Sequence, residues 1–370
     1  MEAGIDTHSQ HINYFNPGNE SSSLADIPDF QAISRRHEAF WQAQNEQPLF
    51  IASANANPAR PIQRRTDLIK DAEAWLEAKL QDFYQTRWIG DSLPHLRADF
   101  GAVLMSSLFS GRRILDPDTA WDEPFIQDDW SNVDWKLDQN NPWWQMMEER
   151  VGQVASQAAG QFLACTPSLG GTADVLLNLR GSEKLCLDVV DQPEKIATAI
   201  EAIYPTWWTA FNRLYEIAAG RQAALIHWLL LWSDVPYVVT ECDFAYLIGR
   251  RDFESLFLPN LVQQSQAVGR SIYHLDGPGS MRHLETLLAQ PAIQAIQYVP
   301  GAGTPSPLRW LNELRKIQQA GKPLQVVCPA EEVLALCQEL RPEGLALLVE
   351  GVQSVQHLEA LYQAFSKQYS

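Results

Sequence analysis

A histidine two residues before an aspartate, inside a short apolar run, is the densest piece of candidate chemistry in this chain. Side chains alternate along a strand, so in SIYHLDG His274 and Asp276 project to one face and Leu275 to the other. Gly277, Pro278 and Gly279 end the run at once, as a strand does where it breaks into a functional loop. The pair could be a general base with its orienting carboxylate, two metal ligands, or a hydrogen-bonded pair closing a sheet end. Other short apolar runs end in polar residues: Glu241, Cys242 and Asp243 in VVTECDF, Gln297 in IQYVPG, Cys328 in VVCPAEE, and Glu350 in LLVEGV. Glu350 follows an uncharged stretch from Leu345 to Val349. An unpartnered buried carboxylate costs on the order of several kcal/mol, so Glu350 is expected to face a site. With Glu350 or a cysteine as third donor, His274 and Asp276 would form the open three-ligand set of a catalytic zinc.

The elements around these residues set their placement. From Ala223 onward short apolar runs (AALIHWLLLW, PYVVTECDF, SIYHLDG, IQAIQYV, LQVVCPA, LALLVEGV) alternate with helical patterns such as PLRWLNELRKIQQAG and EEVLALCQEL. Such succession predicts parallel strands with crossover helices. No G-x-G-x-x-G or P-loop follows any strand, which favours a closed (β/α)8 TIM-type barrel over a nucleotide-binding open sheet. Upstream, Ile33 to Gln44 reads as a helix, PLFIASANA as a strand, and Thr66 to Tyr84 as an amphipathic helix with Thr66 or Asp67 as cap. Trp144 to Ala159 and a long segment begun by Pro193 read as helices. Residues 1–30 form a polar, irregular lead-in, and 31–370 form the barrel domain.

Between Gly90 and Trp144 proline, glycine and aspartate interrupt every apolar run, and long irregular stretches are commonly lids or binding loops. Trp121, Trp130, Trp143 and Trp144 lie there in polar company, where an indole walls or covers a cleft or else packs under a long loop, and Trp130 is the candidate wall of a substrate pocket. Arg60, Arg64 and Arg65 in ARPIQRR, and Arg250 and Arg251 in GRR, are clamps for carboxylate or phosphate, or else solvated surface charge.

Composition narrows the function. The 370 residues carry 45 acidic and 28 basic side chains, a formal charge of -17, which disfavours nucleic acid and anionic membranes as partners. Five dispersed cysteines without a C-x-x-C, and an N-terminus without a basic-then-apolar leader, predict a reduced cytoplasmic protein.

From Thr166 onward the chain also resembles a known family. PSLGGTADVLLNLRGSEKLCLDVVDQPEKI, ECDFAYLIGRRDFESLFLPN, YHLDGPGSMRHLETLLAQPAIQAIQYVPGAG and EEVLALCQELRPEGLALLVEG resemble, in order, blocks of the uroporphyrinogen decarboxylase family. GDSLPHLRADFGA, DDW and NPWW extend the resemblance loosely toward residue 90. The superfamily includes cobalamin-dependent methyltransferases, and the resemblance implies a (β/α)8 barrel with its cleft at the C-terminal strand ends. Those methyltransferases hold zinc with His-x-Cys and a later Cys. Here His274-Leu275-Asp276 stands at the first position and Glu350 near the second, a harder set implying a metal held by His274, Asp276 and Glu350. The decarboxylases carry an N-terminal Ala-Gly-Arg motif, which this chain lacks, and an acidic residue that steers the pyrrole nitrogens, for which Asp91 is the candidate.

The resulting expectation is a small-molecule enzyme of methyl or one-carbon transfer, linked to a corrinoid on a partner protein. His274, Asp276 and Asp91 would be catalytic, and Arg60, Arg64, Asp243, Gln297 and Trp130 would bind substrate. A decarboxylase of a polycarboxylate and a catalytically silent ligand-binding barrel are the alternatives.

Overall fold

The computed structural model describes residues 27–56, 71–110, 112–116, 120–128, 130, 133–158, 160–219, 225–301, 303 and 306–369. Most of the lead-in, Arg60, Arg64, Arg65 and the capping candidates Thr66 and Asp67 lie outside them. The described residues form thirteen strands in chain order: β1 (Leu49–Asn55), β2 (Thr86–Gly90), β3 (His95–Arg97), β4 (Arg113–Leu115), β5 (Ala120–Asp122), β6 (Leu163–Thr166) and β7 (Leu225–His227), then β8 (Trp232–Ser233), β9 (Tyr237–Glu241), β10 (Arg270–Asp276), β11 (Ala295–Val299), β12 (Leu324–Pro329) and β13 (Leu345–Glu350).

One sheet has the order β2-β1-β13-β12-β11-β10-β9 and a second the order β3-β6-β7-β8, with β4 and β5 forming a separate ribbon. Strands β1 and β9 to β13 run parallel, as the strand and helix succession predicts, while β2 is antiparallel to β1. Of the expected (β/α)8 barrel, the parallel strands and their helices are present, and the strands divide between two ladders. Among the described residues no ladder joins β1 to β3 or β7 to β9. At the first seam β2 already occupies the free edge of β1, and Ser92 substitutes for a strand, its hydroxyl accepting from Ala52 N and donating to Ala52 O, each at 2.7 Å. At the second, the run AALIHWLLLW is not one strand but two short ones, parted by a turn in which Leu230 takes φ 62.

Alternation sorts the strand side chains into two layers. Phe50, Tyr273, Leu275, Ile296, Tyr298 and Val326 pack outward in a core shared with the helices. Leu49, Ile51, Ile272, Ala295 and Ala346 pack inward, joined by Phe40 from the helix Phe30–Trp41. Each such aliphatic side chain contributes about 1.5–3 kcal/mol when fully buried. The inner layer floors the sheet beneath His274 and Gln297, each two residues further along its strand. Helix Ala72–Gln85 is capped by Asp71, whose carboxylate accepts from Glu73 N and Ala74 N. Among the described residues no helix is long and apolar enough to cross a membrane.

Two buried histidines are held neutral by their bonds. His37 Nδ1 accepts from Trp232 N at 3.1 Å, so Nε2 donates to Asp91 O at 2.8 Å. His227 Nε2 donates to Tyr237 O at 2.6 Å and Nδ1 accepts from the Thr166 hydroxyl. Burial lowers the His37 pKa and holds His227 at about 4. Between pH 6.5 and 4 the unfolded chain therefore binds a proton at residue 227 that the folded chain does not, and stability falls as pH falls. For His227 this amounts to about 3 kcal/mol. Asp174 and Glu241, with pKa values raised by burial, run the opposite way, so the total curve does not isolate the effect. The difference in unfolding free energy between wild type and His227→Gln does, and it is expected to shrink by about that amount from pH 7 to pH 4 in urea titrations.

Candidate active site

A cleft of about 620 Å³ opens over the inner layer, beside the C-terminal strand ends. Strands β10 and β11 and the turn after β7 supply His274, Gln297 and Trp228 to one wall. The β1 to β3 region supplies Trp88, His95, Arg97 and Asp99, with Lys79 from helix Ala72–Gln85. The Trp228 ring meets the His274 ring edge-on, centroids 5.0 Å apart at 74°. An indole there excludes water from one side of the imidazole without competing for its nitrogens.

Register brings the polar residues together. Glu241 of β9 lies beside His274 of β10, which lies beside Gln297 of β11, which lies beside Gln325 of β12. Two residues past Glu241, Asp243 opens the turn Asp243–Leu247 and swings toward the β10 end. Asp243, His274 and Asp276 then each offer one donor atom, and the three atoms lie within 4.8 Å of one another. Asp243 Oδ1 is buried with no hydrogen-bond partner among the described residues. Burial pushes the Asp243 carboxyl pKa up; His274 opposes that shift and Asp276 adds to it.

Behind this trio stand two more carboxylates. Glu241 accepts from the Ser168 hydroxyl at 3.1 Å, and Asp174 accepts from Phe244 N at 2.9 Å. Burial, reinforced by Asp243, pushes both pKa values well above the carboxylate range. Asp174 reaches them because Gly171 lets the helix Thr172–Arg180 start against β9: a Cβ at Gly171 would lie 2.0 Å from the Glu241 carbonyl oxygen. So much acid at one place favours retained protons or a bound cation.

The remaining sequence-derived candidates separate. Gln297 sits in the cleft wall, hydrogen-bonded to His274. Glu350 also lines the cleft but is exposed, so the burial cost that singled it out does not arise, and it lies outside the trio because β11 and β12 separate its strand from β10. Asp91 is at the opposite, N-terminal end of β1. Its carboxylate pairs with Arg36 and accepts from Phe50 N at 2.8 Å, a clamp between helix Phe30–Trp41 and the strand. Trp130 lies under the Arg180 guanidinium, 5.6 Å from its centroid, where Arg180 also holds Asp188 and the Ile126 carbonyl. Trp143 and Trp144 are buried in helix Pro142–Ala158, and Trp121 is exposed on the β4–β5 ribbon. None of these four indoles lines the cleft; Trp88 and Trp228 do. Cys242 and Cys328 point into the outer core, where burial pushes their thiol pKa values well up, and neither belongs to the trio.

Sequence reading missed Arg97, His95 and Lys79. The first two carried a signal, since HLR repeats the alternation of HLD in a short strand. Burial lowers the His95 pKa to about 4, so this ring faces the cleft uncharged at neutral pH.

No family model matches the chain, and a search of curated proteins finds no match. Among solved structures, a methyltransferase from Methanosarcina mazei superposes with a TM-score of 0.60 at 11% identity, over 91% of this chain and 99% of that one. At that identity the similarity shows a shared fold.

Proposed function

We propose that the protein is a metal-dependent enzyme that transfers a methyl or other one-carbon group to or from a small molecule, on a barrel of the (β/α)8 type. The observation that carries this reading is the convergence of Asp243, His274 and Asp276 on adjacent C-terminal strand ends, where His274 also lines the cleft. The shared fold with a methyltransferase supports the reaction class.

The trio suits zinc. One imidazole and two carboxylates neutralise a divalent ion, the ligand types are those of catalytic zinc sites, and Asp243 Oδ1 has no hydrogen-bond partner among the described residues. Zinc bound there supplies Lewis acidity that favours the deprotonated form of an attacking group. Protein side chains do the rest. Gln297 holds the His274 ring, Trp228 packs against it in an edge-type contact, and Lys79 and Arg97, the latter 3.6 Å from Asp99, give the cleft cations able to orient an anionic end of the substrate. A corrinoid carried by a partner protein is the proposed methyl donor or acceptor.

Elemental analysis of purified protein, followed by zinc titration, tests the metal. Decay of the methyl-cobalt absorbance of methylcobalamin, with small thiols offered as acceptors, tests the transfer. One zinc per chain and decay above the enzyme-free rate are expected. Protein that takes up no metal and leaves that rate unchanged would overturn the proposal.

A further inference from the structure

A chain of side-chain amides runs from His274 to a backbone carbonyl. His274 Nδ1 lies 2.5 Å from Gln297 Oε1, Gln297 Nε2 lies 2.7 Å from Gln325 Oε1, and Gln325 Nε2 lies 2.9 Å from Leu229 O. Gln297 and Gln325 are 1% and 0% exposed, so water does not compete for these bonds. A backbone carbonyl only accepts, which fixes the polarity of the whole chain. Gln325 must turn its NH2 toward Leu229 and its oxygen toward Gln297. Gln297 must then donate to Gln325 and turn its own oxygen to the ring, so Nδ1 of His274 must carry a hydrogen.

From this we infer that Gln297 and Gln325 are positioning residues that hold His274 as the Nδ1–H tautomer, leaving Nε2 as the ring atom that meets Asp243 and Asp276. A neutral imidazole in water prefers the other tautomer, so the relay reverses an intrinsic bias. It also opposes the two carboxylates, which by themselves would attract a hydrogen onto Nε2. The anchor itself is built into the turn after β7. Leu230 there takes a left-handed φ of 62, a conformation that a residue with a side chain disfavours, and its amide donates back to His227 O at 2.8 Å. The same turn presents the Leu229 carbonyl to Gln325 and the Trp228 ring to His274.

The inference rests on the proposed function only for what Nε2 does: if zinc binds, Nε2 would be the atom that holds it, and an outer partner on Nδ1 would orient the ring and raise its basicity. The tautomer stands apart from that role. Nitrogen-15 NMR of histidine-labelled full-length protein reads it directly, with His274 assigned by the signal lost in His274→Asn and the pH set high enough to leave the ring neutral. A protonated Nδ1 and an unprotonated Nε2 are expected in the wild type. Gln297→Leu and Gln325→Leu are each expected to shift the population toward Nε2–H and to weaken zinc binding by roughly 10–100-fold. Gln325→Met, of similar length, replaces the leucine variant if that one does not fold. A wild-type ring carrying its hydrogen on Nε2, or a tautomer unmoved by the change at Gln325, would overturn the relay. The expected tautomer shifts without zinc binding would retain the relay and remove the metal reading.

Discussion

Alanine at His274 is expected to weaken zinc binding by more than the roughly 100-fold that marks the loss of an outer-shell partner, because it removes a ligand. Of the three donors only the imidazole is a nitrogen, and its ring is held by Gln297 on one side and Trp228 on an edge. Asp276→Asn and Asp243→Asn should each weaken binding in the same direction, since an amide keeps one oxygen donor and loses the charge that balances the cation. Turnover should fall with the metal in all three. Glu350→Gln is the control. It alters a carboxylate in the same cleft but outside the trio, and zinc affinity should be unchanged. The fold should survive, because His274 borders the cleft and its removal exposes the Gln297 oxygen to solvent rather than stranding it. Isothermal titration with far-ultraviolet circular dichroism checks both parts. Wild-type affinity in His274→Ala, or a loss in Glu350→Gln equal to that in Asp276→Asn, would refute the assignment.

That contrast also marks how far the sequence reaches. The alternation in SIYHLDG is a local property, and it places His274 and Asp276 on one face with Leu275 in the outer core. The third donor is not local. Asp243 enters because β9 is the lateral neighbour of β10 and because a tight turn follows Glu241, neither of which is written in VVTECDF. The apolar run before Glu350 suggests a buried carboxylate, yet the strand ends there and the carboxylate emerges into solvent, so its neighbours say nothing about its own burial. The parallel core from β9 to β13 was legible because strand and helix patterns alternate strictly. The strand break inside AALIHWLLLW was not, since its left-handed residue is a leucine where glycine would have been the signal. That missed turn carries Trp228 and Leu229, and so the aromatic wall and the relay's anchor were hidden with it. The Trp-rich segment misled for a different reason. Its indoles pack under an arginine, inside a helix or on a ribbon, which is the alternative that polar flanking residues never exclude.

Within that segment lies the second large effect. Arg113→Met is expected to destabilise the protein by about 3–5 kcal/mol in urea unfolding, the range for breaking a buried ion pair from one side. Arg113 of β4 and Asp122 of β5 face each other in the ribbon, 2.8 Å apart, with both side chains fully buried. Asp122 also accepts from the Ser106 hydroxyl at 2.6 Å and the Ser110 hydroxyl at 2.8 Å, so methionine at 113 leaves a charge with only neutral donors. A simple buried pair can be replaced on both sides by apolar residues at little cost. This one should not behave so. Arg113 donates to the carbonyls of Phe100, Ala102 and Val103 as well, fastening the loop that follows Arg97 and Asp99 at the cleft wall. Of these only the bond to the Phe100 carbonyl is fully buried, and that carbonyl left dry costs about 1–3 kcal/mol. The double variant Arg113→Met, Asp122→Leu should therefore recover only part of the loss, whereas full recovery would mean that the loop carbonyls find water or that the guanidinium does nothing beyond the pair. Asp122→Asn leaves Arg113 and its carbonyl bonds in place and keeps one acceptor oxygen, with the Ser110 hydroxyl turning to accept from the new NH2, so it should leave the loop in place while still leaving a buried guanidinium without its counter-charge. Hydrogen exchange at the amides of residues 98–104 separates the two cases: protection there should collapse in Arg113→Met and persist in Asp122→Asn even if global stability falls equally.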